Sequence, residues 1–262
     1  MTEVLTAGSL GGLEVTPVSD TMANINMLIY GDPGVGKTVL AGSASMVEAM
    51  SPVLFIDIEG GTYSIRDRFP SVQTVRVQTW KDMQRVYNEL YAGTHGFKTI
   101  VLDSLTEIQK FSMYNIMQQV IKENADRDPD IPAMRDWGKN IEQIRKLVRG
   151  FRDLPIHTIF TALAKYDKDA KTGVTKTSPY LSGKLSAEVG GFLDIVVFMY
   201  RKVVDGQVQR LLLTQGTEQQ TAKDRSDRLP QVVQNPTMQI MYDYIFNVGN
   251  VGNVGNLGDT QS

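Results

Sequence analysis

The chain has 262 residues, 42% hydrophobic and 21% charged, with a formal net charge of −2, the balance of one large globular domain rather than a disordered or fibrous chain. It holds no cysteine and only two histidines, His95 and His157, which excludes disulfides, thiolate metal sites and a histidine-based metal site. The slightly negative charge excludes a uniformly basic surface, so a nucleic-acid site has to be a local patch.

The elements follow in chain order. Residues 1–22 mix Gly, Thr, Ser and Pro without a sustained period and read as an N-terminal arm lacking its own core. No basic stretch followed by an apolar run opens the chain, and no window approaches about eighteen consecutive apolar residues, so the expectation is a cytosolic protein without signal peptide or membrane span. The core is expected over 23–246. INMLIY, 25–30, bounded by Asn and Gly, is a buried strand entering a turn, and 37–50 has helical character. VLFIDI, 53–58, and VQTVRV, 72–77, are further strands. Thr79 with Asp82 forms an N-cap pair that opens a helix through Tyr91. TIVLD, 99–103, is a third apolar strand, and a helix runs from Leu105 to Glu123 until the Pro-punctuated ADRDPDIP breaks it. A second helix covers 137–152, HTIFTAL at 157–163 is a strand, and 165–184 is a polar, flexible loop. FLDIVVFMYR and QVQRLLLT pair around Asp205-Gly206, a dipeptide that signals a hairpin. Strands alternating with helices at this spacing predict an α/β fold, a mainly parallel sheet flanked by helices and closed by an antiparallel hairpin at one edge. The remainder, 247–262, repeats Val-Gly-Asn and reads as a flexible tail, the alternative being a partner-binding peptide.

GDPGVGKT, residues 31–38, satisfies the spacing Gly, four residues, Gly-Lys-Thr, between an apolar strand and a helix. Glycines let the backbone curl so that successive N–H groups aim at phosphate oxygens, and the start of a helix favours the same anion. The expected binding set is Gly31, Asp32, Pro33, Gly34, Val35, Gly36, Lys37, Thr38 and Val39. Lys37 is expected to reach the β and γ phosphates of ATP and Thr38 to hold Mg2+; the bland alternative is a glycine-rich turn without a ligand. Asp103 ends a buried strand downstream of that loop, where a carboxylate polarises the magnesium shell through water. The next residue is Ser104, so the group that positions the attacking water has to come from elsewhere. Glu59, after VLFIDI and beside Gly60 and Gly61, faces the same phosphate edge if its strand neighbours that of Asp103. The alternative for Glu59 is a solvated turn carboxylate.

At these residues the sequence resembles the RecA and RadA recombinases. FIDIEGGT, 55–62, is similar to their strand ending in the catalytic glutamate, and VLDSLTEI, 101–108, to their magnesium-binding strand. The likeness runs in order over most of 25–225 and is nearest to the small phage RecA-like proteins of the Sak group, which are single-strand annealing proteins. The resemblance implies a RecA-like ATPase core in a host cell's cytoplasm, single-stranded DNA as ligand, a homo-oligomeric ring or filament with ATP between subunits, and a single-strand DNA-binding protein among its partners.

Lys223-Asp224-Arg225 is similar to the Lys-x-Arg pair that RecA-fold hexameric helicases of the DnaB kind and KaiC insert into a neighbour's ATP site; the alternative is a charged surface loop. Residues 165–184 lie where RecA-like proteins carry a DNA-binding loop. Lys165, Lys168, Lys171, Lys176 and Lys184 stand there against Asp167 and Asp169, with Tyr166 and Tyr180 able to stack on bases. Solvation alone also accounts for such a segment, and Gly183-Lys184 alternatively serves a neighbouring subunit, as basic residues of this region do in RecA. The chain departs from the recombinases in lacking their Ser-rich phosphate loop, the Asn-Gln pair after the 157–163 strand and a separate DNA-binding domain, so annealing fits better than strand exchange. A regulatory or assembly switch acting on a protein partner, and a helicase, are the other functional classes left open.

Overall fold

The computed structural model describes residues 8–15, 17, 24–204 and 206–247. Apolar runs bounded by turn residues become the strands β1 (Gly8–Leu10), β2 (Leu13–Val15), β3 (Asn26–Gly31), β4 (Val53–Asp57), β5 (Gln73–Arg76), β6 (Thr99–Asp103), β7 (His157–Lys168), β8 (Thr175–Pro179), β9 (Ile195–Val204), β10 (Gln207–Leu213), β11 (Lys223–Asp224) and β12 (Val232–Gln234). The helices are α1 (Lys37–Gly42), α2 (Trp80–Tyr91), α3 (Leu105–Glu123), α4 (Met134–Arg152), α5 (Leu185–Phe192) and α6 (Met238–Phe246).

The main sheet has the order β12-β10-β9-β3-β7-β6-β4-β5, with β11 added to β9 and β8 to β7. From β9 through β5 the neighbours run parallel, whereas β10, β11 and β12 pair antiparallel at one side. Because side chains alternate across a strand, β3 sends Leu28 and Tyr30 to one layer and Met27 and Ile29 to the other. The first layer is filled by Trp80, Leu105, Ile108, Ile144, Val148, Phe151 and Val189 from α2 to α5; the second by Leu40, Ala41, Met238, Met241 and Ile245 from α1 and α6. Helices thus cover both faces of a parallel sheet, as parallel sheets require. The fold is α/β with antiparallel strands toward the C-terminus.

Local chemistry explains several boundaries. Thr79 caps α2 through a reciprocal pair, its hydroxyl accepting from Asp82 N at 3.1 Å while its own N–H donates to Asp82 Oδ2 at 3.1 Å. The helix expected over 37–50 is interrupted: α1 stops at Gly42 and a 3-10 turn, Ser43–Met46, follows. There the Ser43 hydroxyl bonds back to the Leu40 carbonyl at 2.6 Å, competing with helix continuation. α4 begins at Met134 rather than 137, because Asp136 folds back to accept from the Ala133 N–H at 2.8 Å.

Three expectations need correction. The flexible loop over 165–184 is largely ordered: β7 continues to Lys168 and returns as β8, with registers from Ala164↔Pro179 to Lys168↔Thr175. The strand expected from Phe192 begins at Ile195, because Leu185–Phe192 forms α5. Part of the arm, residues 8–15, is a small antiparallel hairpin, β1 with β2, turned by Gly11 and Gly12 at positive φ. The rest of that arm, Asp205 of the Asp-Gly turn and the tail from residue 248 lie outside the described residues.

Candidate nucleotide-binding site

The loop after β3 is shaped by close approaches that only glycine permits. A Cβ on Gly31 would lie 2.2 Å from the Met199 carbonyl oxygen of neighbouring β9, and Gly34 and Gly36 take φ of 71° and 118°. Val35 anchors the loop in the layer beneath α1 and is 2% exposed, while Asp32, Pro33 and Gly34 face solvent and Gly36, Thr38 and Val39 are half-buried. Lys37 is 9% exposed. Its ammonium lies inside the curl, donating to the carbonyls of Gly31 at 3.0 Å and Asp32 at 2.9 Å. Burial pulls the Lys37 pKa below its ordinary value, and the charges of Asp103, Glu59 and Asp32 oppose that shift. The ammonium is therefore incompletely solvated and sits where a polyanion would compensate it.

Asp103, at the end of β6, gathers the neighbouring hydroxyls. Its Oδ2 accepts from Thr38 Oγ1 at 2.8 Å, and its Oδ1 accepts from Thr161 Oγ1 on β7. Gly61 roofs this pair, since a Cβ there would stand 3.5 Å from Asp103 Oδ2 and 3.9 Å from Thr38 Oγ1. β4 pairs directly with β6, placing Asp57 opposite Asp103. Ile58 N continues the pairing by donating to Asp103 O at 3.0 Å, so the next residue, Glu59, meets the same edge. The Glu59 carboxylate accepts the hydroxyl of Ser104, the neighbour of Asp103. Asp57 holds the segment beyond: Oδ1 accepts from Gly60 N at 2.7 Å and Gly61 N at 3.2 Å, and Oδ2 from Thr62 Oγ1 at 3.0 Å. Arg76, its partner across β5, closes the pair at 3.3 Å.

The donor set fits magnesium bound with nucleotide: one hydroxyl and one carboxylate side by side, with the remaining ligands to come from phosphate oxygens and water. Among the described residues there is no cluster of three or more His, Cys, Asp or Glu that would hold a metal by protein ligands alone.

The β7–β8 hairpin reaches the same loop. Tyr166 Oη donates to Asp32 Oδ1 at 2.7 Å, and burial together with that carboxylate pushes the tyrosine pKa up to about 12. Register divides the lysines. Lys165 and Lys176 share a face with Asp167, which lies opposite Lys176 and pairs with Lys165 at 2.8 Å; Lys168 shares the face of Tyr166. Lys171 sits in the turn, where Asp169 Oδ1 accepts the N–H groups of Lys171 and Thr172 at 2.8 Å each. Lys184 is exposed at the start of α5. Tyr180 joins α3, its carbonyl accepting from Gln109 Nε2 at 3.2 Å and Thr106 Oγ1 at 3.3 Å.

Lys223 and Arg225 stand elsewhere. β11 pairs with the first residues of β9, Val196 and Ile195, level with the start of β3 and so at the opposite end of the strands from the phosphate loop. Lys223 Nζ donates to Gly190 O at 2.6 Å and Leu193 O at 3.1 Å, and Arg225 pairs with Asp194 at 2.5 Å. Within one chain these cations do not meet the loop.

Residues that sequence reasoning overlooked are Ser104 and Thr161, which fix the two carboxylates, and Arg201 and Arg210 on the antiparallel hairpin. Arg201 Nη2 donates to Gly34 O, and Arg210 Nε donates to Val35 O at 3.2 Å. The two-residue turn was the available signal, because it sets the register in which Val204 faces Gln207 and hence Arg201 faces Arg210.

A model of the AAA domain matches residues 23–226, a span that takes in the loop, both carboxylates and the basic hairpin. The chain belongs to the AAA domain family. As a member of that family it is a nucleotide-binding ATPase domain. No curated protein matched the chain. Among solved structures, this AAA domain is similar to the KaiC-like protein PH0186 from Pyrococcus horikoshii OT3, with 15% identity, 71% of this chain and 76% of that one covered, and a TM-score of 0.40. It is also similar to the flagellar accessory protein FlaH from Methanocaldococcus jannaschii, with 11% identity, 81% and 86% covered, and a TM-score of 0.45. Among the described residues no helix is long and apolar enough to cross a membrane.

Proposed function

We propose that this AAA domain binds ATP with magnesium on residues 31–38, hydrolyses it, and uses that cycle to control single-stranded DNA held by the β7–β8 hairpin, promoting strand annealing as a ring or filament. The observation that carries the link is the Tyr166 to Asp32 hydrogen bond, which ties the basic hairpin to the nucleotide loop. In this reading loop amides and Lys37 hold the phosphates, Thr38 supplies a magnesium ligand and Asp103 orients that ion's water shell. Bound magnesium neutralises charge that develops on the transferring phosphoryl group. Glu59 orients the attacking water as its base, with Ser104 fixing the carboxylate, at an edge kept open by Gly60 and Gly61. Lys223 and Arg225 act only from a neighbouring subunit, after releasing Gly190, Leu193 and Asp194.

Lys168 and Lys171, with Lys165, Lys176 and Lys184 around them, meet phosphates without reading sequence, so binding weakens with salt. Titration of a single-stranded oligonucleotide at two salt concentrations, with and without ATP, tests this. Lys168→Glu with Lys171→Glu is expected to lower affinity at least tenfold at low salt and to flatten the salt slope by roughly 0.7 per lost contact. Absence of binding by the unaltered protein at low salt, in either nucleotide condition, sinks the DNA reading. That result favours an ATP-dependent switch on a protein partner, a reading supported by Val203 and Val208, which face one another on the β9–β10 hairpin and are 66% and 61% exposed.

A further inference from the structure

Two arginines left unused by this chemistry stand on the other side of the phosphate loop. Arg201 on β9 and Arg210 on β10 are direct cross-strand partners, so their side chains leave the same face of the hairpin, where like charges repel. Both nevertheless converge on the loop, Arg201 onto Gly34 O and Arg210 onto Val35 O at 3.2 Å. A Cβ on Gly34 would stand 3.3 Å from Arg201 Nη2, and one on Gly36 would stand 3.1 Å from Arg210 Nε. The guanidinium groups therefore lie against the two loop glycines whose φ is positive. Among the described residues neither arginine takes part in an ion pair with a carboxylate. Each guanidinium carries five N–H donors, and one bond to a loop carbonyl leaves most of them for another acceptor.

Sheet order says which part of a nucleotide would meet them. Asp103 on β6 and Glu59 after β4 lie on one side of β3, and β9 and β10 lie on the other. A triphosphate whose γ end rests at Thr38 and Asp103 extends its α end toward β9 and β10. Two adjacent cations without a carboxylate, beside a polyanion site, are relieved by an anion placed between them. We infer that Arg201 and Arg210 form a cationic clamp on the α-phosphate of ATP or ADP, supplied by the same subunit as the phosphate loop. This inference rests on the reading that residues 31–38 bind ATP. It adds a contact indifferent to the γ-phosphate, so it keeps the diphosphate product bound as firmly as it aids the triphosphate.

Calorimetric titration of ATP and of ADP into the full chain tests it with two double variants. Arg201→Gln with Arg210→Gln keeps a donor for each loop carbonyl and removes the charge; Arg201→Lys with Arg210→Lys keeps the charge. The expected result is that the glutamine pair weakens ATP and ADP by the same factor, about thirtyfold. The lysine pair stays within about threefold of the unaltered protein, and the nucleotide-free melting temperature of the glutamine pair does not fall. Undiminished affinity in the glutamine pair overturns the clamp, as does loss for ATP with ADP spared, which would place the arginines at the γ-phosphate. Equal loss in the lysine and glutamine pairs with a lowered melting temperature also overturns it, since that pattern belongs to bracing of the loop. Failure of the unaltered protein to bind either nucleotide would instead remove the ATP reading itself.

Discussion

Glu59 and Asp103 stand at the same sheet edge but make different contacts. Asp103 accepts from Thr38 and Thr161, whereas Glu59 is exposed and, among the described residues, held by Ser104. Glu59→Gln preserves size and the acceptor for Ser104 while removing the carboxylate that is proposed as the base. Steady-state hydrolysis is expected to fall at least a hundredfold, the usual contribution of a positioned base, with ATP affinity within about threefold. Near-normal turnover would take Glu59 out of the mechanism. His157 supplies a different test. It is 5% exposed, its Nδ1 accepts from Ile25 N at 2.9 Å, and burial pulls its pKa down to about 4. Unfolded chain therefore binds this proton near pH 6.5 while folded chain does not, so stability is lost as pH falls from 6.5 toward 4. Denaturant titrations across that window are expected to lose at most about 3 kcal/mol from this residue, and His157→Gln to flatten the dependence. The loop motif was legible because its chemistry lies in consecutive residues. Ser104, Thr161, Arg201 and Arg210 were not, because each acts on a residue distant in sequence.

At the scale of elements, the strands that carry the loop and Asp103 announced themselves as apolar runs ending in glycine or aspartate, since burial on both sheet faces leaves no polar position within them. Strand pairing was not readable, and it decides the Glu59 placement: only the β4 to β6 register brings Asp57 opposite Asp103. α5 was hidden by Gly190 and Gly191, which lower helix propensity, yet Leu185, Val189 and Phe192 bury one face and hold it. The β7–β8 hairpin was hidden by its polar composition. Its exposed residues gain order from backbone pairing and from Tyr166 on Asp32. Tyr166→Phe removes that one hydroxyl bond. Oligonucleotide affinity without nucleotide is expected to stay within about twofold, while the difference between ATP-bound and nucleotide-free protein shrinks; an unchanged ATP response would break the proposed link.

For the whole molecule, one mainly parallel sheet between two apolar layers brings residues from β3, β4, β6, β7, β9 and β10 to the two flanks of one short loop. The α/β class was legible from the alternation of strand and helix, while the sheet order, which separates the carboxylate side from the arginine side, was not. A ligand that binds the native state and not the unfolded chain stabilises the fold by mass action, by about 2.7 kcal/mol at a hundredfold excess over Kd. Stability measured with and without MgATP, for the unaltered chain and Lys37→Ala, is therefore the most direct test. A clear rise is expected for the unaltered chain and none for the folded variant; no rise in the first, or an equal rise in both, would refute ATP binding through Lys37.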